Sequence, residues 1–518
     1  MSDEIEGMIS RDQINARALA TDHLMAGLGA RSANGVVVTI LVQFTVFALQ
    51  ILNTAWMARV LAPEDFGVVA LALSVTGFVG LFAELGLSVA TVQRRELDQN
   101  TASVLFLVNL LAGFAGMVLC FGLAAPAALV FSDTRVFWAV VGLGCALPLS
   151  AAAVQHNALL VRGMRWWPIQ LIGLASLGAG VFVGIVAASL LNAGYWALVG
   201  ASAATAITRL TLLWFVCPWR PSRVREWASA RTAVSFGAHM TGFNLTLFLA
   251  RQLDVTLIGL FWGTAQTGYY TRAYQLMLLP LNAISGPLGA VFVPALSRLQ
   301  GDPARWSAAF MRAYLIAAII GCAFASIFIV TADHLVNLVY GPGWEDTTEI
   351  FQWLSWSMYC TFPMGAMAWA FVSLGNSKAM LKWGLISFVV LGITFVTAVP
   401  YGVLGVAKAY TIAIWSLTPV CFHLALRKSP VSTSKALIEI APIWIASFVA
   451  AAAGLQTKNF TGFGLLPDLV LESAVTASAF ALVGFVLVYR RYEYQQMAVS
   501  SWALLIAAIS NRSQSKAE

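Results

Sequence analysis

Apolar residues in this chain come in long blocks separated by short polar stretches, with no sustained period-two alternation of the kind that marks strands. Fourteen blocks reach about 20 residues, enough to cross a hydrocarbon core of about 30 Å as a helix. Their approximate bounds are 35–58, 66–89, 102–124, 136–160, 169–190, 194–216, 233–257, 274–296, 313–331, 349–373, 383–400, 403–426, 436–454 and 468–489. The pattern predicts an all-α polytopic membrane protein with about fourteen transmembrane helices. The longest connections are 217–232, 258–273 and 332–348, too short to fold as water-soluble domains.

Composition excludes the main alternative. Of 518 residues, 59% are hydrophobic and only 10% charged, against about 25% charged in an ordinary soluble chain. A soluble enzyme is ruled out. The formal net charge of +7 has a topological cause, visible in where Lys and Arg fall. With the N-terminus inside, inner segments hold 23 of the 30, including Arg94, Arg95, Arg220, Arg223, Arg225, Arg427 and Lys428. Outer loops hold four (Arg59, Arg135, Arg272, Lys458), and Arg209, Arg251 and Lys408 lie within spans. By the positive-inside rule both termini are cytoplasmic, and nucleic-acid binding is not implied. The first apolar run, Val36 to Ala58, is too long for a signal-peptide core.

Specialised chemistry is scarce. The six cysteines form no CxxC pair, so they read as packing residues rather than a disulfide or metal framework. His156, His239 and His423 have no ligand spacing and read as structural. No GxxxxGK[ST] phosphate loop or nucleophile elbow is present, so no ATP, metal or other cofactor is expected.

A faint internal repeat organises the spans. Residues 52–68, LNTAWMARVLAPEDFGV, lie over 253–269, LDVTLIGLFWGTAQTGY, at an offset of 201. Ala62 then meets Gly263 and Gly67 meets Gly268. Six spans per copy preserve topology, which predicts two six-helix bundles related by a pseudo-two-fold axis along the membrane normal, with a cavity between them. The expected organisation is a cytoplasmic segment (1–34), a first bundle (35–216), a basic linker (217–232) and a second bundle (233–427). Two additional helices (436–490) and a cytoplasmic tail (491–518) follow.

Ionisable residues within spans are the candidate site, because each costs about 2.5–3.5 kcal/mol at the bilayer centre on insertion scales. Arg251 and Asp254 stand at i, i+3 and share a helical face with Asn244. They read either as a self-contained ion pair or as the lining of a water-filled cavity. Lys408 lies among small residues, where it either lines the cavity or snorkels to the interface. Arg59 and Arg272 lie at span ends, as cavity cations or interface anchors. Glu84 is either a proton-linked carboxylate or a packing residue. Pro280, Pro287 and Pro294 recur every seven residues in one span, which marks a kinked and possible hinge element.

The segment 241–303, TGFNLTLFLARQLDVTLIGLFWGTAQTGYYTRAYQLMLLPLNAISGPLGAVFVPALSRLQGDP, resembles the central signature of the polysaccharide-transport family. Those are Wzx-type lipid-linked oligosaccharide flippases of the multidrug/oligosaccharidyl-lipid/polysaccharide exporter superfamily. MARVLAPEDFGVVALA (57–72) with FAELGLSVATVQRRE (82–96), and GYWALV (194–199) with WRPSR (219–223), are similar to it as well. The resemblance implies alternating access around a cationic cavity in a bacterial inner membrane. It also implies an undecaprenyl-diphosphate-linked repeat unit as substrate, moved to the outer leaflet for exopolysaccharide, capsule or O-antigen assembly. On that reading the cavity cations are Arg251, Lys408, Arg59 and Arg272, with Asp254, Glu84 and Asn244 as coupling or polar residues. Energy would come from an ion gradient or from downstream consumption, and a polysaccharide polymerase and export machinery are possible partners. Two other classes stay open: a cation or drug antiporter of the same superfamily, and a membrane polysaccharide polymerase.

Overall fold

The computed structural model describes residues 28–84, 97–224, 231–460 and 462–488, with the single positions 15, 19, 88, 91 and 92. Helices follow in the order α1 (Leu28–Val60), α2 (Pro63–Glu84), α3 (Gln99–Val130), α4 (Thr134–Gly144) and α5 (Ala146–Arg162). Next come α6 (Trp166–Ser189), α7 (Trp196–Val216), α8 (Arg231–Arg298), α9 (Pro303–Val330) and α10 (Ala332–Tyr340). The last are α11 (Glu345–Ser373), α12 (Ser377–Ala398), α13 (Gly402–Leu426), α14 (Thr433–Thr457) and α15 (Leu465–Val488). No strand occurs among the described residues. Helices lie on all fourteen expected spans as far as these are described, and the protein is a polytopic helical membrane protein.

Three boundaries differ from the sequence pattern, each for a local reason. The fourth span is divided at Cys145 into α4 and α5. Pro148 explains the division, since it lacks an N–H and its ring crowds the carbonyl four residues earlier. Residues 258–273, expected as a connection, are helical, and α8 carries two spans with one interruption at Gly263 (φ 78°, ψ −175°). That backbone conformation favours glycine because it has no Cβ. Within 332–348 the chain forms the short helix α10 before α11 begins.

Two compact units are evident. The first holds residues 1–272, 339–344 and 388–406; the second holds 273–338, 345–387 and 407–518. In the first, Asp98 caps α3 by accepting from Thr101 N–H. Burial works upward on the Asp98 carboxyl, but the hydrogen bonds it accepts at the helix start prevail and hold it below the ordinary range. Phe106, Trp214 and Trp219 surround the buried His156, which stacks on Trp214 at 4.6 Å. In the second unit, Trp306, Phe310 and Tyr314 stack along one face of α9 with centroids 5.0 and 6.1 Å apart. Trp444 Nε1 donates to the Tyr359 carbonyl at 3.0 Å and ties α14 to α11.

Candidate functional site

The site in the first unit is built where α2 crosses α8. A Cβ on Gly67 would run into the carbonyl of Thr264, and a Cβ on Gly268 into the carbonyl of Pro63. The 201-residue offset that carries Gly67 to Gly268 also carries Pro63 to Thr264. The contact is therefore reciprocal, which is what a two-fold arrangement of similar elements requires. It also explains why both copies break here: α1 ends before Leu61 and Ala62, while α8 is interrupted at Gly263, the position equivalent to Ala62. Pro63 opens α2 with its missing N–H at no loss. Asp65 Oδ2 accepts Ala62 N–H at 3.2 Å, while Oδ1 accepts Tyr195 N–H at 3.0 Å.

Two of the candidate cations gather around this crossing. Arg272 places its guanidinium 4.5 Å over the Phe66 ring, and its carbonyl accepts the Tyr340 hydroxyl at 2.9 Å. Arg272 Nε is enclosed without a hydrogen-bond partner. Arg59, at the end of α1, lays its Cγ 3.4 Å from where a Gly341 Cβ would stand, one residue beyond Tyr340. Trp344 completes the shell: its Nε1 donates to the Ala58 carbonyl at 2.9 Å. Its ring meets Phe66, Tyr269 and Tyr340 at 5.4, 5.8 and 5.2 Å. The segment Val339–Trp344 thus borders both arginines, Arg272 against the Phe66 ring and the exposed Arg59 beside Gly341. Gly341 and Gly343 (φ 85° and 88°) give it the turns it needs.

A second polar knot lies at the same crossing. Asp133 Oδ2 pairs with Arg135 at 2.8 Å and accepts the Thr264 hydroxyl at 3.3 Å. Burial works upward on the Asp133 carboxyl, but the Arg135 hydrogen bonds and charge outweigh it and hold the group below the ordinary carboxylate range. Arg135 is thereby committed to Asp133, whereas no carboxylate pairs with Arg272 among the described residues.

Asp254 is buried, and its Oδ2 accepts the Tyr270 hydroxyl at 2.8 Å. This bond bridges the Gly263 interruption, tying the two arms of α8. Helical spacing pointed to Arg251 as partner, and the side chains of Arg251, Asn244, Glu84 and Pro287 lie outside the described residues. Tyr270→Phe is expected to remove about 1–3 kcal/mol by leaving a buried acceptor short of its donor. The measurement is the thermal midpoint of the purified protein, and a midpoint equal to wild type would show that the bond contributes nothing.

An almost entirely apolar cavity of about 410 Å³ lies between α2, α3, the first arm of α8 and the middle of α12, lined by Phe78, Leu123, Pro126, Phe248, Leu253 and Phe388 among others. Its polar lining comes from Ser74, Gln252 and Thr256, a composition and size usual for apolar ligands. In the second unit Lys408 Nζ lies 5.1 Å over the Trp353 ring. Pro280 is buried and Pro294 exposed, and α8 turns by 43° between Gly286 and Val291, on either side of Pro287. Tyr270, Tyr340 and Trp344 carry no signal in a single sequence beyond being aromatic at span ends, and sequence reasoning missed them.

These features define a multi-pass helical membrane protein with an apolar cavity and an arginine, Arg272, held against aromatic rings. The family described as "Polysaccharide biosynthesis protein" matches residues 56–349, more than half of the chain; the protein belongs to that family. It is 23% identical over 340 residues to the succinoglycan biosynthesis transport protein ExoT of Rhizobium meliloti (strain 1021), covering 66% of this chain and 69% of that one. It is 21% identical over 310 residues to the lipopolysaccharide biosynthesis protein WzxC of Escherichia coli (strain K12), covering 60% and 63%. Among solved structures, the lipid II flippase MurJ in an inward closed conformation superposes with a TM-score of 0.68 at 13% identity, over 87% of this chain and 99% of that one. That likeness shows the fold.

Proposed function

We propose that this protein flips a polyprenyl-diphosphate-linked oligosaccharide from the inner to the outer leaflet of a bacterial inner membrane, supplying polysaccharide assembly outside the cell. Membership of the polysaccharide biosynthesis family and the similarity to transport proteins of two such pathways support a transporter rather than an enzyme. The observation that carries the substrate class is Arg272, whose enclosed Nε lacks a partner while its guanidinium rests on Phe66. An arginine held in an apolar surround without a carboxylate is costly, and a diphosphate, whose oxygens can accept two parallel hydrogen bonds from the planar guanidinium, is an anion that would complete it. Arg59, beside the same Tyr340–Trp344 segment, adds a second positive charge, with Arg251 and Lys408 as further cavity cations. The apolar cavity would take part of the lipid chain. Asp254, with Tyr270 across the Gly263 interruption, together with Glu84 and Asn244, would serve polar or coupling roles. The three prolines would let α8 bend during alternating access, driven by an ion gradient or by consumption of product outside. A polymerase and export machinery would receive that product, and both termini would face the cytoplasm.

The test is reconstitution in proteoliposomes with a fluorescent polyprenyl-diphosphate oligosaccharide, scored by accessibility of the sugar to an added lectin. Protein-dependent transfer across the bilayer is expected, with no efflux of ethidium from loaded vesicles. Ethidium efflux without lipid transfer would replace this reading with a drug antiporter.

A further inference from the structure

In the second unit, α10, the α14–α15 connection and α15 bring together four ionisable side chains that flipping does not use. His334 Nδ1 lies 3.0 Å from Glu472 Oε2 and 3.6 Å from Asp333 Oδ1. Asp333 Oδ2 accepts from Lys458 Nζ at 2.8 Å. Ligand atoms of Asp333, His334 and Glu472 lie within 4.8 Å of one another. The Glu472 side chain is fully buried, and its Oε1 has no hydrogen-bond partner.

The arrangement is incomplete as a hydrogen-bonded cluster. A single ring nitrogen carries at most one proton, so Nδ1 cannot donate fully to two carboxylates at once. A buried carboxylate oxygen without a donor keeps its full desolvation cost. A cation among the three side chains answers both defects. The geometry suits a small one: in a tetrahedral site with bonds of about 2.0–2.1 Å, neighbouring donor atoms stand about 3.3 Å apart. The observed 3.0 and 3.6 Å fall on either side of that value. One imidazole with two carboxylates is a mixed nitrogen and oxygen set, which suits zinc-class metals better than the all-oxygen shells of magnesium or calcium. By holding Asp333 Oδ2, Lys458 leaves Oδ1 for the metal and orients the carboxylate, as outer-shell partners do.

We propose that Asp333, His334 and Glu472 form a binding site for a divalent transition metal of the zinc class, with a fourth position open to water. The metal ties α10 to α15 and so fastens the additional helix pair α14–α15 to its unit. Its free energy of binding adds to folding stability.

The test uses the full chain, purified in detergent, stripped with a chelator and titrated with Zn²⁺. Expected results are one zinc retained per chain after desalting, measured by elemental mass spectrometry, and a saturable rise of the thermal midpoint. Mg²⁺ and Ca²⁺ at the same concentrations should leave the midpoint unchanged. Glu472→Gln and His334→Ala each remove a ligand and should weaken zinc binding by more than the about 10–100-fold that loss of an outer-shell partner costs. His334→Gln stands in if either variant fails to fold. Lys458→Ala removes only an outer-shell partner and should weaken zinc binding by about 10–100-fold, less than either ligand variant. No zinc retained by the wild type, or equal retention by Glu472→Gln and the His334 variants, would overturn the proposal. Lipid transfer is not the readout, so the outcome is independent of the substrate reading.

Discussion

Gly67→Ala and Gly268→Ala are each expected to lower the amount of folded protein and its thermal midpoint, and to do so by similar amounts. Each added Cβ meets a backbone carbonyl of the other repeat copy, that of Thr264 or of Pro63. A flexible side-chain end can swing away from an added methyl, but a carbonyl in a helix start moves only with its helix. The loss should therefore reach at least the about 1–3 kcal/mol typical of overpacking, a large part of an ordinary stability margin of about 5–15 kcal/mol. Gly122→Ala provides the contrast. A Cβ there meets nothing within 4 Å, and alanine is favoured over glycine in a helix interior by about 0.5–1 kcal/mol, so that variant should be neutral or slightly more stable. Because the two tight contacts share one crossing, the double variant should lose less than the two single losses combined. Single variants with wild-type midpoints, or a severe loss at only one of the two positions, would show that the crossing is not a reciprocal constraint.

The span pattern is highly legible in the sequence because a bilayer imposes length and apolarity on every crossing helix. That constraint locates all fourteen spans, and the repeat at 52–68 and 253–269 already aligns Ala62 with Gly263 and Gly67 with Gly268. Hydropathy says nothing, however, about whether a polar stretch between spans is a loop. Residues 258–273 contain Gly263, Thr264, Gln266 and Thr267 and read as a connection, yet they complete helical turns: the Thr267 hydroxyl bonds the Gly263 carbonyl at 2.8 Å and Thr271 bonds Thr267 likewise. Cations are legible because each charge in a span is expensive; their surroundings are not. The aromatic shell around Arg272 is assembled from Phe66, Tyr269, Tyr340 and Trp344, which lie far apart along the chain and carry no shared pattern. The same holds for Asp254. Helical spacing indicates residues one turn away, whereas Tyr270 reaches it from beyond the Gly263 interruption, sixteen residues on. The His334–Glu472 contact, between residues far apart in sequence, is equally invisible to local spacing.

Arg272→Ala is expected to abolish most export per molecule of folded transporter while leaving insertion intact. Charge-assisted hydrogen bonds contribute about 1.5–3 kcal/mol, and about 1.4 kcal/mol is tenfold, so a fall of roughly 10–100-fold is the scale to look for. Arg272→Lys should keep part of the activity, because it retains the charge but loses the planar fork that matches phosphate oxygens. Phe66→Leu removes the ring beneath the guanidinium, an interaction of about 0.5–2 kcal/mol. It should reduce export less than Arg272→Ala and add little in combination with it, since both changes act on one group. An interface anchor behaves differently. Arginine and lysine snorkel almost equally well, so under that reading Arg272→Lys would match wild type. Arg272→Ala would then lower the thermal midpoint without altering export per folded molecule. Arg59→Ala, made in parallel, shows whether the exposed arginine beside Gly341 shares the load. The measurement is lectin-accessible lipid-linked sugar in proteoliposomes, normalised to monodisperse protein. Full activity in Arg272→Ala would end the phosphate reading of this residue and move the search for the anion's partner to Arg251 and Lys408.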